Sequence, residues 1–456
     1  MAKYLGQHAV VIGGSMAGLM TARVLADYFD HVTVLERDRI DDAPALHKSI
    51  PQGHHLHALL YGGQQVLSSL YPNFTEKLHR FGAVRYRAGK EIVWFRPDGK
   101  TYSPTSSVRE PRDLGFDGHS QSRGLLEYCV RQCTLALNNV QLASSSTVRE
   151  LLHANGRVQG VRYTNPDGSH LLSADLVVDA GGRGTHAFRW LTELGFQLPA
   201  ETTIGVDFAY ASTKFRIPDS YDEPERLLVF FGQPPQFPNG GIMEEIEDHT
   251  WHVSLAGRFG NYPPADEDGF LAFAKSLPTP KLYELIKDAE RVADIVSYRF
   301  PTSVQRHYER LTAFPDGFLV LGDAICSFNP IYGQGMSSAA LQVKALQQLL
   351  AERVAGPQTL DELAFAFFPE AAEVIATPWT LAANSDFAYP QTRGTRPPNL
   401  PEGAQYFAAV GVLTAEDVEV QRLVAEVFNL AKPLSVLREE PLRSRVLERL
   451  REQTVN

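Results

Sequence analysis

The stretch "HAVVIGGSMAGLMTARVLADYFDHVTVLERD", residues 8–38, leaves the chain few choices of fold. His8 to Ile12 is apolar enough for a short buried strand, Gly13, Gly14 and Gly18 follow in a turn, and Leu19, Val24 and Leu25 mark a helix. A second strand, "HVTVLE", ends at Glu36. Strand, glycine turn, helix, strand and acid, in that order, describe a dinucleotide-binding unit. Gly13 permits the tight turn, and the backbone then approaches a pyrophosphate at the helix N-terminus, where free N–H groups and the helix dipole favour negative charge. Gly18 lets the helix pack close to the sheet, and Glu36 is placed to accept hydrogen bonds from a ribose. Ser15 stands where GxGxxG has its middle glycine. Serine is small and its hydroxyl can donate to a phosphate, so the motif tolerates it.

A chain of 456 residues is longer than one hydrophobic core usually organises, so two packed domains are expected. A net charge of -10, with no Lys/Arg block, argues against a nucleic-acid surface. Cys129, Cys133 and Cys326 make no disulfide framework, and the first two, one helical turn apart, are too sparse for zinc. A reducing cytoplasm is the expected location. The early apolar run reads as a strand rather than a signal peptide, and no stretch is long and apolar enough to span a bilayer. The basic closing segment "PLRSRVLERLREQTVN" reads as a solvated terminal helix in preference to a membrane-surface one.

Two later segments repeat the logic of a strand ending in an acid. "ADLVVDAGGRGT" (174–185) ends a buried strand at Asp179 and enters a glycine run. "DGFLVLGDAICSFNPIYGQGMSS" (316–338) ends a strand at Asp323, passes a proline-containing loop, and opens a helix at Gly333 and Gly335. Such an acid can bind ribityl hydroxyls, and a glycine-opened helix start can stabilise negative charge on a reduced flavin ring.

As a set, the glycine turn, "VVDAGGRG" and "GDA…NP…GQG" resemble the flavoprotein monooxygenases of the para-hydroxybenzoate hydroxylase fold, over roughly residues 8–350. The resemblance implies an α/β fold: an FAD-binding Rossmann-type (glutathione reductase-like) domain, an inserted mixed β-sheet substrate domain and a helical C-terminal region. It implies that Asp323 binds the ribityl chain, that Pro330 lies beside the isoalloxazine, and that the Gly333-Gln334-Gly335 backbone faces its pyrimidine edge. Arg123, in "SQSRGLLEYCV", matches a family arginine near the FAD, and Ala17, Arg37, Gly182 and Met336 join the cofactor-binding candidates. Ala180 follows Asp179 where the family has glycine, a form closer to the branch of bacterial polyether and terpenoid epoxidases.

Three histidines in "PQGHHLHALL" raise the question of a metal, since imidazole is a common ligand. Ile50, Pro51, Gln52, His55, His57 and Leu59 also look like a signature of that epoxidase-like branch, as does "PWTLAANSDFAYPQTRGTRP" (378–397). If the segment is extended, His55 and His57 share one face. They could then donate to FAD oxygens or line the flavin pocket, with His54 pointing outward. No carboxylate or cysteine stands at ligand spacing, so flavin contact is favoured over structural hydrogen bonding, and both over metal; no metal is assigned.

The expected boundaries are FAD-binding segments at 1–90, 119–198 and 306–356, a hairpin at 91–118 turning at Pro97 to Gly99, a substrate domain at 199–305, and a helical region at 357–456. Alternating residues between 200 and 300 suggest antiparallel strands with one face over the flavin. "NSDFAYPQTRGTRPPNLPEG" reads as a loop or lid. Trp94, Phe208, Tyr210, Phe230, Phe231, Trp251, Phe328 and Tyr332 are pocket candidates, most of them core and a minority lining a cavity.

The implied activity is insertion of one oxygen atom of dioxygen into an apolar or aromatic small molecule, by hydroxylation or epoxidation through a flavin C4a-hydroperoxide. No catalytic acid or base is nominated; Pro330, Gly333, Gln334 and Gly335 shape the flavin environment. No second dinucleotide turn is visible, so NADPH or NADH binds transiently, or a flavin or ferredoxin-type reductase delivers electrons. The rivals are a flavin halogenase, whose WxWxIP signature is missing with Trp94 its nearest approach, a reductase of isoprenoid double bonds, and a flavin-binding partner without turnover.

Overall fold

The computed structural model describes residues 4–46, 51–95, 101–102, 112–356 and 358–455. Ile50 and the turn expected at Pro97 to Gly99 lie outside these residues.

A five-stranded parallel sheet carries the strands Phe318–Val320, Leu176–Asp179, Gly6–Ile12, Phe29–Leu35 and Val140–Ala143, in that spatial order. Its central strands are continuous apolar runs, as a parallel sheet covered on both faces requires. The helices Met16–Leu25 and Arg123–Leu135 and the 21-residue helix Gly335–Ala355 pack around it in one core. Three strands at Thr147–Ala154, Arg157–Asn165 and Gly168–Ser173 form a separate antiparallel meander that the sequence reading did not anticipate.

The second large sheet has eight strands, ordered Cys326–Ser327, Val296–Arg306, Glu201–Arg216, Thr250–Arg258, Gly240–Ile246, Leu227–Phe230, Ile92–Phe95 and Thr101–Tyr102. All but one of its pairings are antiparallel; Leu227–Phe230 runs parallel to Ile92–Phe95. The expected alternation of covered and open faces does not hold at its centre, where all nine residues of Thr250–Arg258 are buried. One face packs on the helices Glu267–Ser276 and Lys281–Ile286 through Val253, Leu255, Phe270 and Leu282. The other carries Phe208, Tyr210 and Phe300 against Ala383 and Phe387 of the helix Leu363–Phe387.

The expected lid is corrected in part. Residues 384–387 complete that helix, and the loop beyond is bonded down. Arg393 exchanges two backbone hydrogen bonds with Gly205, at 2.8 and 3.1 Å. The closing helix Leu442–Val455 lays Leu442 and Val446 against Leu400–Glu416, and Arg449 pairs with Glu416 at its rim. No helix among the described residues is long and apolar enough to cross a membrane.

Candidate active site

A cleft of about 600 Å³ runs between the two sheets, from the first glycine turn to the aromatic face of the second sheet. Its lining includes Gly13, Ser15, Ala17, Glu36 and Arg37 from the first turn and its second strand, and the aromatic side chains Tyr210, Tyr298, Phe300 and Phe328.

Gly13 enters the turn at φ 103°, and a Cβ there would stand 2.7 Å from the Ala180 carbonyl oxygen. A Cβ on Gly18 would stand 1.8 Å from the Gly13 carbonyl oxygen, so both positions exclude a side chain. The first bond inside the helix runs from Leu19 N–H to the Ser15 carbonyl, which leaves the N–H groups of Met16 to Gly18 without an intrahelical acceptor. Glu36 is buried and already accepts from Gly14 N–H at 2.7 Å and Asp38 N–H at 2.8 Å. Each oxygen keeps a lone pair for a hydroxyl.

Ser15 departs from the expectation. Its hydroxyl donates to Glu127 at 2.7 Å and accepts from Arg123 at 2.7 Å, so its proton is not free for a phosphate. Arg123 in turn pairs with Glu127 at 2.8 Å and reaches the Met336 sulfur, joining the glycine turn to the last helix of the site. The cause is Glu127, which is distant in sequence from Ser15 and gave no local sign of its reach.

Asp179 also acts on its own turn. One carboxylate oxygen accepts from Gly181 N–H at 2.8 Å and the other from the Thr185 hydroxyl. Burial raises its pKa, against the lowering effect of those bonds. Asp323 differs: it lines the cleft, and no hydrogen bond ties its carboxylate to another described residue. Burial raises its pKa while Arg183, Arg123 and Arg306 oppose the shift.

The histidine segment is a 3₁₀ turn, Pro51–His54, followed by an irregular stretch, and so His55 and His57 do not share a face. His55 does not line the cleft. Its Nδ1 lies 2.8 Å from the Ser212 hydroxyl, its Nε2 is buried without a partner, and it packs edge-on to Tyr210. Burial, with neighbouring His57 and His252, lowers its pKa to about 2. His57 does line the cleft. Burial and Arg123 lower its pKa to about 4, so it is neutral at pH 7. Its Nδ1 lies 2.8 Å from the His55 carbonyl, which can only accept, so Nδ1 carries the proton and Nε2 is an acceptor. With this tautomer the ring can accept at Nε2 but cannot donate there, contrary to the expected donation. His54 is exposed. Among the described residues no three His, Cys, Asp or Glu side chains converge as a metal site.

Opposite the first turn, Asn329 caps the 3₁₀ turn Pro330–Tyr332, Gly333 follows at φ 64°, and the helix starts at Gly335. Pro330, Gly333, Gln334, Gly335 and Met336 all line the cleft, as do Asp179 and Gly182 across from them. Of the cofactor candidates, Gly14, Gly18 and His55 do not line it. Gln334 is buried with its Oε1 unpartnered, and Arg123 Nε is likewise unpartnered. A glycine-only cradle, two free helix starts, a free acid and orphaned polar atoms along one elongated cleft fit FAD.

The sequence reading missed Tyr298, Phe300 and Arg183, whose guanidinium lies 4.3 Å over the Phe300 ring. Arg183 sits between the glycines of "GGRG", which was the available signal. Of the eight aromatic candidates, Tyr210 and Phe328 line the cleft, and Trp251, Phe230 and Phe208 are core.

No family model matches the chain. It is 35% identical over 353 residues to Protein Rv3254 of Mycobacterium tuberculosis, covering 76% of this chain and 73% of that one. Squalene monooxygenase 1,2 of Brassica napus is 23% identical over 347 residues, and the chain spans 61% of that protein's length. Two solved structures share the fold along nearly the whole chain. The flavin-dependent brominase Bmp2 superposes with TM-score 0.68 at 16% identity, covering 98% of this chain and 100% of that one. The p-nitrophenol 4-monooxygenase PnpA of Pseudomonas putida superposes with TM-score 0.62 at 16% identity, covering 93% and 98%. The chain belongs to one family with Protein Rv3254 of Mycobacterium tuberculosis, has the fold of the flavin-dependent monooxygenases and halogenases it superposes on, and is a flavin-dependent oxidoreductase.

Proposed function

We propose that the chain binds FAD in the inter-sheet cleft and uses it to insert one oxygen atom of dioxygen into an apolar or aromatic small molecule. The observation that carries this reading is the cleft itself, which joins an anion-accepting glycine turn to an aromatic wall. The N–H groups of Met16 to Gly18 receive the pyrophosphate, and Glu36 accepts from the adenosine ribose. Asp323 and His57 Nε2 accept from ribityl hydroxyls. The N–H groups that open the helix at Gly335 would favour the negative charge of the reduced ring. Pro330 and Gly333 on one side, and Tyr210, Tyr298 and Phe300 on the other, keep water from the reacting face. Bound FAD supplies the activation of dioxygen, which no side chain here can provide. One oxygen atom enters the substrate and the other leaves as water; NADPH, NADH or a separate reductase supplies the two electrons, one proton comes with the hydride when the donor is a nicotinamide, and solvent supplies the remaining protons. The division of the chain at residues 90, 118, 198, 305 and 356 belongs to the same proposal, supported by how the strands sort between the two sheets.

Epoxidation of an alkene is the first reaction to test, because the plant relatives are named as squalene epoxidases and monooxygenases. The reconstituted protein is given labelled dioxygen, a reductant and a panel of polyenes and phenols. A product heavier by one labelled oxygen atom is expected. A product that has gained only hydrogen, in the absence of dioxygen, would instead establish the reductase reading.

A further inference from the structure

Behind the loop that fronts the cleft lies a buried charge that the proposed reaction does not use. Asp386, near the end of the helix Leu363–Phe387, is 0% exposed, and Arg258, at the end of the strand Thr250–Arg258, is 3% exposed. Arg258 donates to Asp386 Oδ1 at 2.8 Å. The same oxygen accepts from Asn329 Nδ2 at 2.9 Å and from the Tyr332 hydroxyl at 2.8 Å. Asn329 and Tyr332 bracket Pro330, and the Asn329 side-chain oxygen takes Ile331 N–H at 3.3 Å. One carboxylate oxygen therefore ties three elements together: the second sheet, the C-terminal helix and the cleft loop.

A buried ion pair is weak evidence for stability, since desolvation offsets most of its attraction and an apolar contact would hold the same elements. What three converging donors provide is direction. Apolar packing already exists beside them, where Phe208, Phe300 and Phe387 meet Ile331, so the polar cluster adds orientation to an interface that is already closed. Phe328, Asn329, Pro330 and Gly333 all line the cleft, so the loop held by Asp386 is part of the wall that would meet the flavin ring on the proposed reading.

We propose that Asp386, held by Arg258, is a positioning residue that sets the Asn329–Gly333 loop and through it the environment of the flavin ring. The inference rests on the reading that FAD occupies the cleft. Three variants test it against the parent: Asp386→Asn, Tyr332→Phe and, as a surface control on the same sheet, Arg216→Ala. Each is titrated with FAD, and the visible circular dichroism and fluorescence of the bound flavin are recorded at full occupancy. Asp386→Asn is expected to weaken FAD binding roughly tenfold, the size of one lost charge-assisted hydrogen bond, and to alter both signals. Tyr332→Phe should shift them in the same direction by less, and Arg216→Ala should leave them unchanged. A merely structural Asp386 would lower the melting temperature without moving the signals at full occupancy, and that result overturns the proposal. If Asp386→Asn does not fold, Tyr332→Phe decides alone: signals identical to the parent's overturn it. A parent chain that takes up no FAD fails before any variant is compared, and removes the underlying reading together with this one.

Discussion

Gly18 has no room for a side chain, because its Cβ would meet the carbonyl of Gly13 at 1.8 Å. Gly18→Ala should therefore destabilise the fold by about 3 kcal/mol, as overpacking between backbone segments does. It should also cut the flavin retained per purified chain to a small fraction of the parent's, which visible absorbance measures. The histidines make a second prediction. The pKa of His57 lies at about 4, that of His252 at about 3 and that of His55 at about 2, against 6.5 when unfolded, and burial is the largest cause in each. At these three sites the unfolded chain binds more protons below pH 6.5, so their contribution to stability is complete above that pH and is lost as pH drops toward their folded values. His55 alone steepens the fall by up to about 1.4 kcal/mol per pH unit. Urea midpoints at pH 7 and at pH 5 should differ less in His55→Leu than in the parent.

At the scale of elements, the helix starting at Arg123 is tied to the glycine turn by a buried pair. The side chains of Arg123 and Glu127 are 7% and 3% exposed, and Ser15 completes the contact. Glu127→Ala leaves the arginine charge uncompensated and should cost about 3 kcal/mol in denaturant unfolding. Glu127→Gln should cost less, because it keeps a hydrogen-bonding partner for Ser15. The glycine turn and the acid-ended strands were legible in the sequence because every determinant of their shape lies within a few residues. The partners that fix the side chains were not. Ser15 reads as a phosphate donor until Glu127 arrives from another helix. His55 and His57 read as one face until the 3₁₀ turn before them rotates one against Ser212 and the other into the cleft. Asp386 sat inside a quoted signature with no visible role, because its three donors come from two other parts of the chain.

At the scale of the molecule, two sheets of different kinds enclose one elongated cleft. The parallel sheet presents helix starts and strand ends, which suit phosphates and sugar hydroxyls. The larger sheet presents an aromatic face, which suits a flat ring and an apolar substrate. Alternation in the sequence revealed strands between residues 200 and 300 but not that both faces would be covered, since coverage depends on Leu363–Phe387 and Glu267–Ser276 packing from opposite sides. The most direct test of the central claim is equilibrium binding of FAD to the purified apoprotein. The visible spectrum of the complex is then followed through anaerobic reduction and readmission of dioxygen. The account predicts one FAD per chain, bleaching by a nicotinamide or by a supplied reductase, and return of the oxidised spectrum when dioxygen enters. A folded chain that binds no FAD, or whose bound flavin is reduced and then left unchanged by dioxygen, would contradict it.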